Sequence, residues 1–506
     1  MTKSAGKSDK TFKTTFVVTL VIAVSKLVGL IREMFFSSVF GQNWQTDAHK
    51  TAYNALSIFI LLFSAGISSA FIPIYTKERV NLGESKANDY ANKILNLYIV
   101  IGLVIGILGN IFAPQICSII YRGDNNQTRE LSNQLTRIMF TTLVFWAISG
   151  VFCALLSARN KFIPEQLMGF ALSITTIYAC VAVGTIESAA YAVAITPVLQ
   201  VVILIPFLFG NFKYKPLFNF RDDKVKRTFY IALPALVSMA FDEITQITNN
   251  GIASTFPDGS MTSLGKSYQV ITFAIGIFVV PLTTIMFTRL SNLAAKKDKK
   301  GIIGGIKQSS EFLAFVIFPV TAICIVMSPE IIATLFQRGK FTAQDTMVTS
   351  AIFQLYILGL FGFGLRNFLT RVFFSLQDTK TPLFVGIFTV IVNVGLSLLL
   401  SRFLEVRGLA LATSVAGTLG AAIMFVLLRK KLGKMNIKKT IVQIIKIGIC
   451  AVVCFALVLV AKSFVPISNS FIKLIVCAVI ALIGYLIVAI LLRLNAIKNL
   501  FLLRGK

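Results

Sequence analysis

"APQICSIIYRGD" at residues 113–124 returns as "SPEIIATLFQRGK" at residues 328–340, with a proline, an apolar stripe and an Arg-Gly in the same order. A second pair keeps the register: "ALLSARNKFIP", ending at Pro164, matches "VFFSLQDTKTP", ending at Pro382, with Ser157 on Ser375. More weakly, "SSAFIPIYTK" aligns with "TTIMFTRLSN". The offsets agree to within a few residues, so the chain reads as one unit used twice.

The nature of that unit follows from composition. Of 506 residues, 56% are hydrophobic and only 14% charged, and the mean hydropathy is +0.80, which excludes a soluble globular domain. Apolar runs of about 20 residues, enough to cross a hydrocarbon core of roughly 30 Å, recur from end to end. Their centres lie near Val21, Phe59, Ile101, Phe145, Ile174, Ala194, Val237, Ala274, Ile317, Gly359, Val390, Leu419, Val453 and Ala481. Lipid offers no partner to unpaired backbone groups, and the runs lack the short alternation of barrel strands, so the spans are helices.

The expected fold class is therefore an all-α integral membrane protein of about 14 transmembrane helices. Residues 1–222 form one six-helix lobe and residues 223–435 its repeat, while residues 436–506 add two helices outside the repeat. Six is even, so both lobes enter the membrane in the same sense, as a parallel repeat about an axis along the membrane normal. Such paired bundles take cargo near the midplane between the halves and work by rocking, which favours a transporter over a scaffold or the membrane part of an enzyme.

Lys and Arg fix the orientation. Lys3, Lys7, Lys10 and Lys13 precede the first span; Lys77, Arg79 and Lys86, then Arg159 and Lys161, then "KYKPLFNFRDDKVKR", "RLSNLAAKKDKKGIIGGIK", "RKKLGKMNIKK" and the tail follow on the same side if the spans alternate. Loops such as "GQNWQT" and "VGTIES" are poor in both, so both termini are expected in the cytoplasm. No small-residue cleavage site follows a short apolar core, so the first span reads as retained. The net charge of +28 is this topological signal plus attraction to anionic lipid headgroups. Basic residues dispersed over short loops do not make a nucleic-acid platform. The seven cysteines lie in or at the ends of apolar spans without a CxxC, and one histidine, His49, cannot complete a metal site with them.

Polar residues inside the spans are the candidates for function, because a charge at mid-span costs at least about 2.5–3.5 kcal/mol when it faces lipid. In "SKLVGLIREMFF", residues 25–36, Ser25, Gly29 and Arg32 share a helical face at i, i+4, i+7, with Lys26 and Glu33 on the adjoining one. This continuous polar side should meet a wet cavity or a counter-charge, and Glu33 has Lys26, Arg32 or neither as partner. Asp47 and His49 begin the second span, Asp242 and Glu243 lie in the seventh, Arg366 in the tenth, and Asn393 and Ser397 stand i, i+4 on the eleventh. Asp242 with Asn393 and Ser397 suits a monovalent cation or a proton, against the alternative of hydrogen-bonded helix packing. The small-residue run "FSAGISSAF" reads as close packing. The acids are too scattered for a catalytic constellation, and there is no P-loop.

At these residues the chain resembles a known family. "SKLVGLIREMFFSSVFGQNWQTDAHKTAY" with "AGISSAFIPIYTKE" is similar to the opening of the MurJ (MviN) family of bacterial lipid II flippases, and "RVFFSLQDTKTP" to its tenth-span signature. The resemblance runs along essentially the whole chain, within the superfamily of multidrug and oligosaccharidyl-lipid exporters. It implies a transporter, not an enzyme, that moves undecaprenyl-pyrophosphate-linked peptidoglycan precursor, lipid II, to the outer leaflet of the bacterial plasma membrane, with cell-wall synthesis proteins as further partners. It implies substrate binding by Lys26, Arg32 and Arg366, with Ser25, Gly29 and Asp47 beside them. It also implies a groove for the lipid tail along residues 442–492 and coupling to Na+, H+ or the membrane potential, with Asp242, Asn393, Ser397 and Thr413 in the region of the cation site. No other cofactor is implied.

The chain departs from the family pattern where an Arg pair usually precedes "AEG": it has Ile60 and Leu61, then Ala65. In the eighth span, where the family carries an arginine, "SYQVITFAIG" offers only Gln269. These gaps keep open a flippase for another polyprenyl-linked glycan; a second alternative is a cation-coupled drug exporter of the same superfamily, against which the cations of the first span count.

Overall fold

The structure is a computed structural model, and it describes residues 21, 24–63, 67–210, 212–219, 221–296, 298–433, 435 and 438–495; the side chains of residues 69, 234, 235, 237–240, 242, 285, 288, 289, 292, 294 and 295 are not described. Among the described residues there are helices and no strands. The first is α1, over residues 24–40. It is followed by α2 (Trp44–Leu61), α3 (Ile67–Ile111), α4 (Ala113–Ile120), α5 (Asn126–Phe140), α6 (Leu143–Ala158), α7 (Ile163–Tyr178), α8 (Ile186–Leu208) and α9 (Asp223–Ala253). Then come α10 (Ser260–Ala274), α11 (Val280–Ala295), α12 (Lys299–Val326), α13 (Ser328–Phe336), α14 (Ala343–Ile357), α15 (Leu360–Ser375), α16 (Lys380–Leu404), α17 (Val406–Leu432), α18 (Lys438–Phe464) and α19 (Ser470–Leu491).

The repeat has a structural counterpart. The short helices α4 and α13 each carry a proline in the first turn, where a missing N–H costs nothing. After each Arg-Gly the next helix opens on a side-chain cap: Asn125 accepts from the amides of Gln127 and Thr128, and Thr342 forms a capping box with Asp345. Each of these helices then bends into its successor by nearly the same angle, 47° between α5 and α6 and 45° between α14 and α15.

By length and apolarity nine described helices suit a membrane span, or up to eleven when each bent pair is one span. The other three expected spans fall on α1, whose beginning lies outside the described residues, on α2, whose polar side chains keep it below that criterion, and on α9, several of whose central side chains are not described.

The chain divides into two compact units, residues 1–259 with 338–341 and residues 260–337 with 342–506. In the first, α3 runs for 45 residues with a break at Gly83 (φ +84), a backbone that suits glycine. Its glycines 102, 106 and 109 face α5 and α6: a Cβ on Gly102 would stand 2.9 Å from the Val144 Cα, and one on Gly109 would run into the Phe140 ring. Small residues of this kind bring backbones together where the solvent is as apolar as the side chains. Asn92 and Asn96, both buried, hold the extended segment 213–217 along α3 through the backbone of Lys213, Lys215 and Leu217. In the second unit α18 packs on α12 and α19, and Cys450, Cys454 and Cys477 are small buried members of that core. All seven cysteines are free thiols.

The basic loops are tied by acids. Arg159 donates to the Tyr75 hydroxyl at 2.7 Å, to Glu84 at 3.0 Å and to Asn88 at 2.9 Å. Lys93 pairs with Asp222 at 2.6 Å. Burial opposes the Asp222 charge, but the Lys93 bond and the Lys224 amide outweigh it and the carboxyl sits below its ordinary range. In the second unit Lys431 lies 2.6 Å from Asp378. That bond, helped by the amide and hydroxyl of Thr381, holds the Asp378 carboxyl at about 2.

Candidate functional site

The α1 face separates into three environments. Ser25 turns to α7, where a Cβ on Gly169 would meet its hydroxyl at 2.5 Å, so it serves helix contact. Lys26 is exposed, and the Cβ direction of Gly29 is open to 4 Å. Arg32 is paired: its Nε and a terminal nitrogen donate to the same Glu33 oxygen at 3.1 and 2.6 Å, with both side chains less than a fifth exposed. Of the cations the sequence offered, Arg32 is thus a partner of Glu33 among the described residues.

Around this pair α2 and α9 add polar groups. Tyr53 lies within electrostatic reach of Arg32, Glu33 and Glu243, and the Ser57 hydroxyl donates to Glu243 at 3.1 Å. Two carboxylates, one guanidinium and two hydroxyls therefore gather in an otherwise apolar part of the first unit. Of the two neighbouring acids on α9, Glu243 is the one seen here; the side chain of Asp242 lies outside the described residues.

Asp47 has a different surrounding. It is 3% exposed and receives the Gly259 N–H at 2.7 Å, so it fixes the turn between α9 and α10. It stands in the first turn of α2, whose Asn43 cap holds the amides of Gln45 and Thr46, and an acid there also suits the helix dipole.

In the second unit Asn393 and Thr413 meet, amide to hydroxyl, at 3.0 Å. Asn393 is 2% exposed, and its Oδ1 has no hydrogen-bond partner among the described residues, an arrangement that costs roughly 1–3 kcal/mol unless an acceptor is wanted there. Ser397, one turn further along α16, is fully buried. Arg366 on α15 lays its stem beside Gly420 of α17, where a Cβ on that glycine would lie 3.6 Å from the Arg366 Cδ and 2.6 Å from the Thr389 hydroxyl.

The sequence reading missed Lys266. It lies on α10, 5% exposed, with its ammonium 5.3 Å from the centre of the Phe336 ring, a cation–π contact. The signal was a lysine in "SLGKSYQ", three residues before Gln269. The α12–α18 seam also carries an apolar groove of about 260 Å³, lined among others by Phe318, Ile325, Val452 and Phe455.

Comparison with known proteins agrees with this architecture. A family model described as "Lipid II flippase MurJ" matches residues 36–479. The probable lipid II flippase MurJ of Rickettsia prowazekii (strain Madrid E) is 26% identical over 425 residues, covering 82% of this chain and 83% of the relative. That of Thermotoga maritima is 27% identical over 423 residues, covering 83% and 85%. A solved structure of a lipid II flippase MurJ in an inward closed conformation superposes with a TM-score of 0.80 at 23% identity, over 94% of this chain and 99% of that one. An inward-facing multidrug transporter of the MATE family gives 0.71 at 13% identity, over 81% and 94%. With helices, repeat and a family match over most of its length, the chain belongs to the MurJ family of lipid II flippases.

Proposed function

We propose that this protein carries lipid II from the cytoplasmic to the outer leaflet of the bacterial plasma membrane by alternating access, with both termini in the cytoplasm. The observation that carries the reading is the cationic face of α1, where Lys26 is exposed and Arg32 is held by Glu33 alone of the acids hydrogen-bonded to it among the described residues. A pyrophosphate is a bidentate acceptor for a guanidinium, so arriving cargo competes with Glu33 for Arg32. Glu33 keeps the cation compensated while no cargo is present, since an unpaired buried charge costs roughly 3–5 kcal/mol. The lipid tail stays in the bilayer, and the groove between α12 and α18 gives it an apolar path.

Coupling to a monovalent cation is part of the proposal. The unpartnered Oδ1 of Asn393 beside Thr413 is an oxygen donor of the kind Na+ takes; the side chain of Asp242, the acid expected from the sequence, lies outside the described residues. Arg366 and Lys266 supply positive charge to the second unit where Gln269 does not. These departures support a second reading, export of another polyprenyl-linked glycan, in which Ile60 and Leu61 mark a different headgroup.

Complementation decides between them. A host depleted of its own lipid II flippase, expressing this chain, should regain growth and labelled lipid II at the outer leaflet. Normal insertion with lipid II retained inside would overturn the lipid II reading and send the test to a panel of other polyprenyl-linked glycans.

A further inference from the structure

The Arg-Gly of the sequence repeat has no part in the cargo site, yet its glycine makes the same contact twice. The Arg122 N–H donates to the Ser254 hydroxyl at 2.8 Å, and a Cβ on Gly123 would run into the Ser254 carbonyl oxygen at the end of α9. The Lys340 N–H donates to the Ser38 carbonyl at 2.7 Å, and a Cβ on Gly339 (φ +59) would run into that same oxygen near the end of α1. All four segments belong to the first unit.

Residue numbers show that the two glycine contacts are one contact repeated, with a different hydrogen bond beside each. Arg338 follows Arg122 by 216 positions, and Ser254 follows Ser38 by 216. The helix that opens the second repeat is thus gripped by the turn of the first, and the helix that opens the first repeat by the turn of the second. Gly259 follows Asn43 by the same 216, and these two touch: a Cβ on Gly259 would lie 3.3 Å from the Asn43 amide nitrogen. Equivalent residues meet each other only near a two-fold axis, so the exchange is reciprocal about that axis.

We propose that the two Arg-Gly turns are a reciprocal pair of latches on the outer ends of α1 and α9, and that opening to the outside requires both to release. The assignment of these turns to the outer side rests on the alternating-access reading and its topology. Each latch seats a glycine against a carbonyl oxygen at a helix end with no room for a Cβ, so it is either seated or off. Reciprocity makes the pair cooperative, because moving either opening helix strains the turn of the other repeat.

The test is a reversible lock. A Cβ on Gly41 (φ +67) would stand 3.3 Å from the Lys340 Cβ and 2.7 Å from the Lys340 carbonyl oxygen, so a disulfide, with its Cβ separation of roughly 3.5–4.5 Å, forms once the backbone at 340 gives by a few tenths of an ångström, and the reduced double variant is the control for that shift. With Gly41→Cys and Lys340→Cys oxidised, translocation of labelled lipid II should fall at least about tenfold and return on reduction. An oxidised pair that translocates as fast as the reduced one overturns the latch. If the reduced pair and the parent chain both fail to move lipid II, the cargo reading has failed, and the latch is then read by spin labels at Gln127→Cys and Ala343→Cys. Gly339→Ala should add a longer-distance population to that pair, and an unchanged distance distribution overturns the proposal.

Discussion

Arg32 gives two hydrogen bonds to one oxygen of Glu33, its immediate chain neighbour, at 2.6 and 3.1 Å. Adjacent residues on a helix point about 100° apart and ordinarily do not meet. These two meet because both side chains are long and an apolar setting penalises each charge on its own. In the proposed function the pair divides the duties of the cationic face: Lys26, which is exposed, would meet an arriving anion directly, whereas Arg32 would exchange one acid for another.

The first prediction follows from that exchange. Lys26→Ala and Arg32→Ala should each lower lipid II translocation at least about tenfold, as removal of a charge-assisted contact worth roughly 1.5–3 kcal/mol requires, with membrane levels unchanged. Translocation in inverted vesicles, normalised to inserted protein, checks it. Full activity in both variants would remove the α1 face from the cargo path.

Glu243 should behave as part of the same cluster. Its bond from Ser57 links α9 to α2, and its charge also acts on Tyr53, so Ser57→Ala should lower activity less than Glu243→Gln does. A double-mutant cycle on translocation rate should show coupling of about 0.5–3 kcal/mol between Ser57 and Glu243. Strict additivity would show that the two side chains act separately.

How far the sequence could be read is clearest at residues such as these. Apolar length and the repeat gave the helices, because membrane span length and backbone satisfaction leave few alternatives. Arg32 and Lys26 stood out because charge within an apolar run is costly. The Asp47 bond to Gly259 was invisible, since it joins positions 212 residues apart and the motif alone reads as a site. Glu33 had two cations within a helical turn or two, and periodicity does not rank an i, i+1 pair. Lys266 was overlooked because a lysine near the start of a span reads as snorkelling to the interface, whereas the structure buries it over Phe336.

The Asp378–Lys431 pair sets a pH limit. The carboxyl is held at about 2, below its unfolded value, so its contribution is complete above roughly pH 4 and is lost as pH falls towards 2. Thermal unfolding in detergent should therefore show a steeper loss between pH 4 and pH 2 for the parent than for Asp378→Asn. Parallel curves would assign the pair no part in stability.

The packing of α3 makes a prediction that does not depend on cargo. Gly109 lies under the Phe140 ring, so Gly109→Val should cost about 1–3 kcal/mol through overpacking, read as a lower unfolding temperature of the purified protein. Gly29→Val, at an open position, should leave that temperature nearly unchanged. Equal effects at both sites would show that close approach of α3 to its neighbours is not what these glycines provide.

Asn393 offers the sharpest separation of coupling from folding. Its amide nitrogen is satisfied by Thr413 and its Oδ1 is not satisfied by any described group, so Asn393→Leu removes one unmet acceptor along with one bond, and the stability change should be small. If that oxygen takes a cation, translocation in the variant should lose its dependence on the Na+ gradient while the parent keeps it. A variant that loses stability but responds to Na+ as the parent does would make Asn393 a packing residue between α16 and α17. A parent without any Na+ response would leave a proton or the membrane potential to drive the cycle, and the same assay run at fixed potential with a pH gradient separates those two.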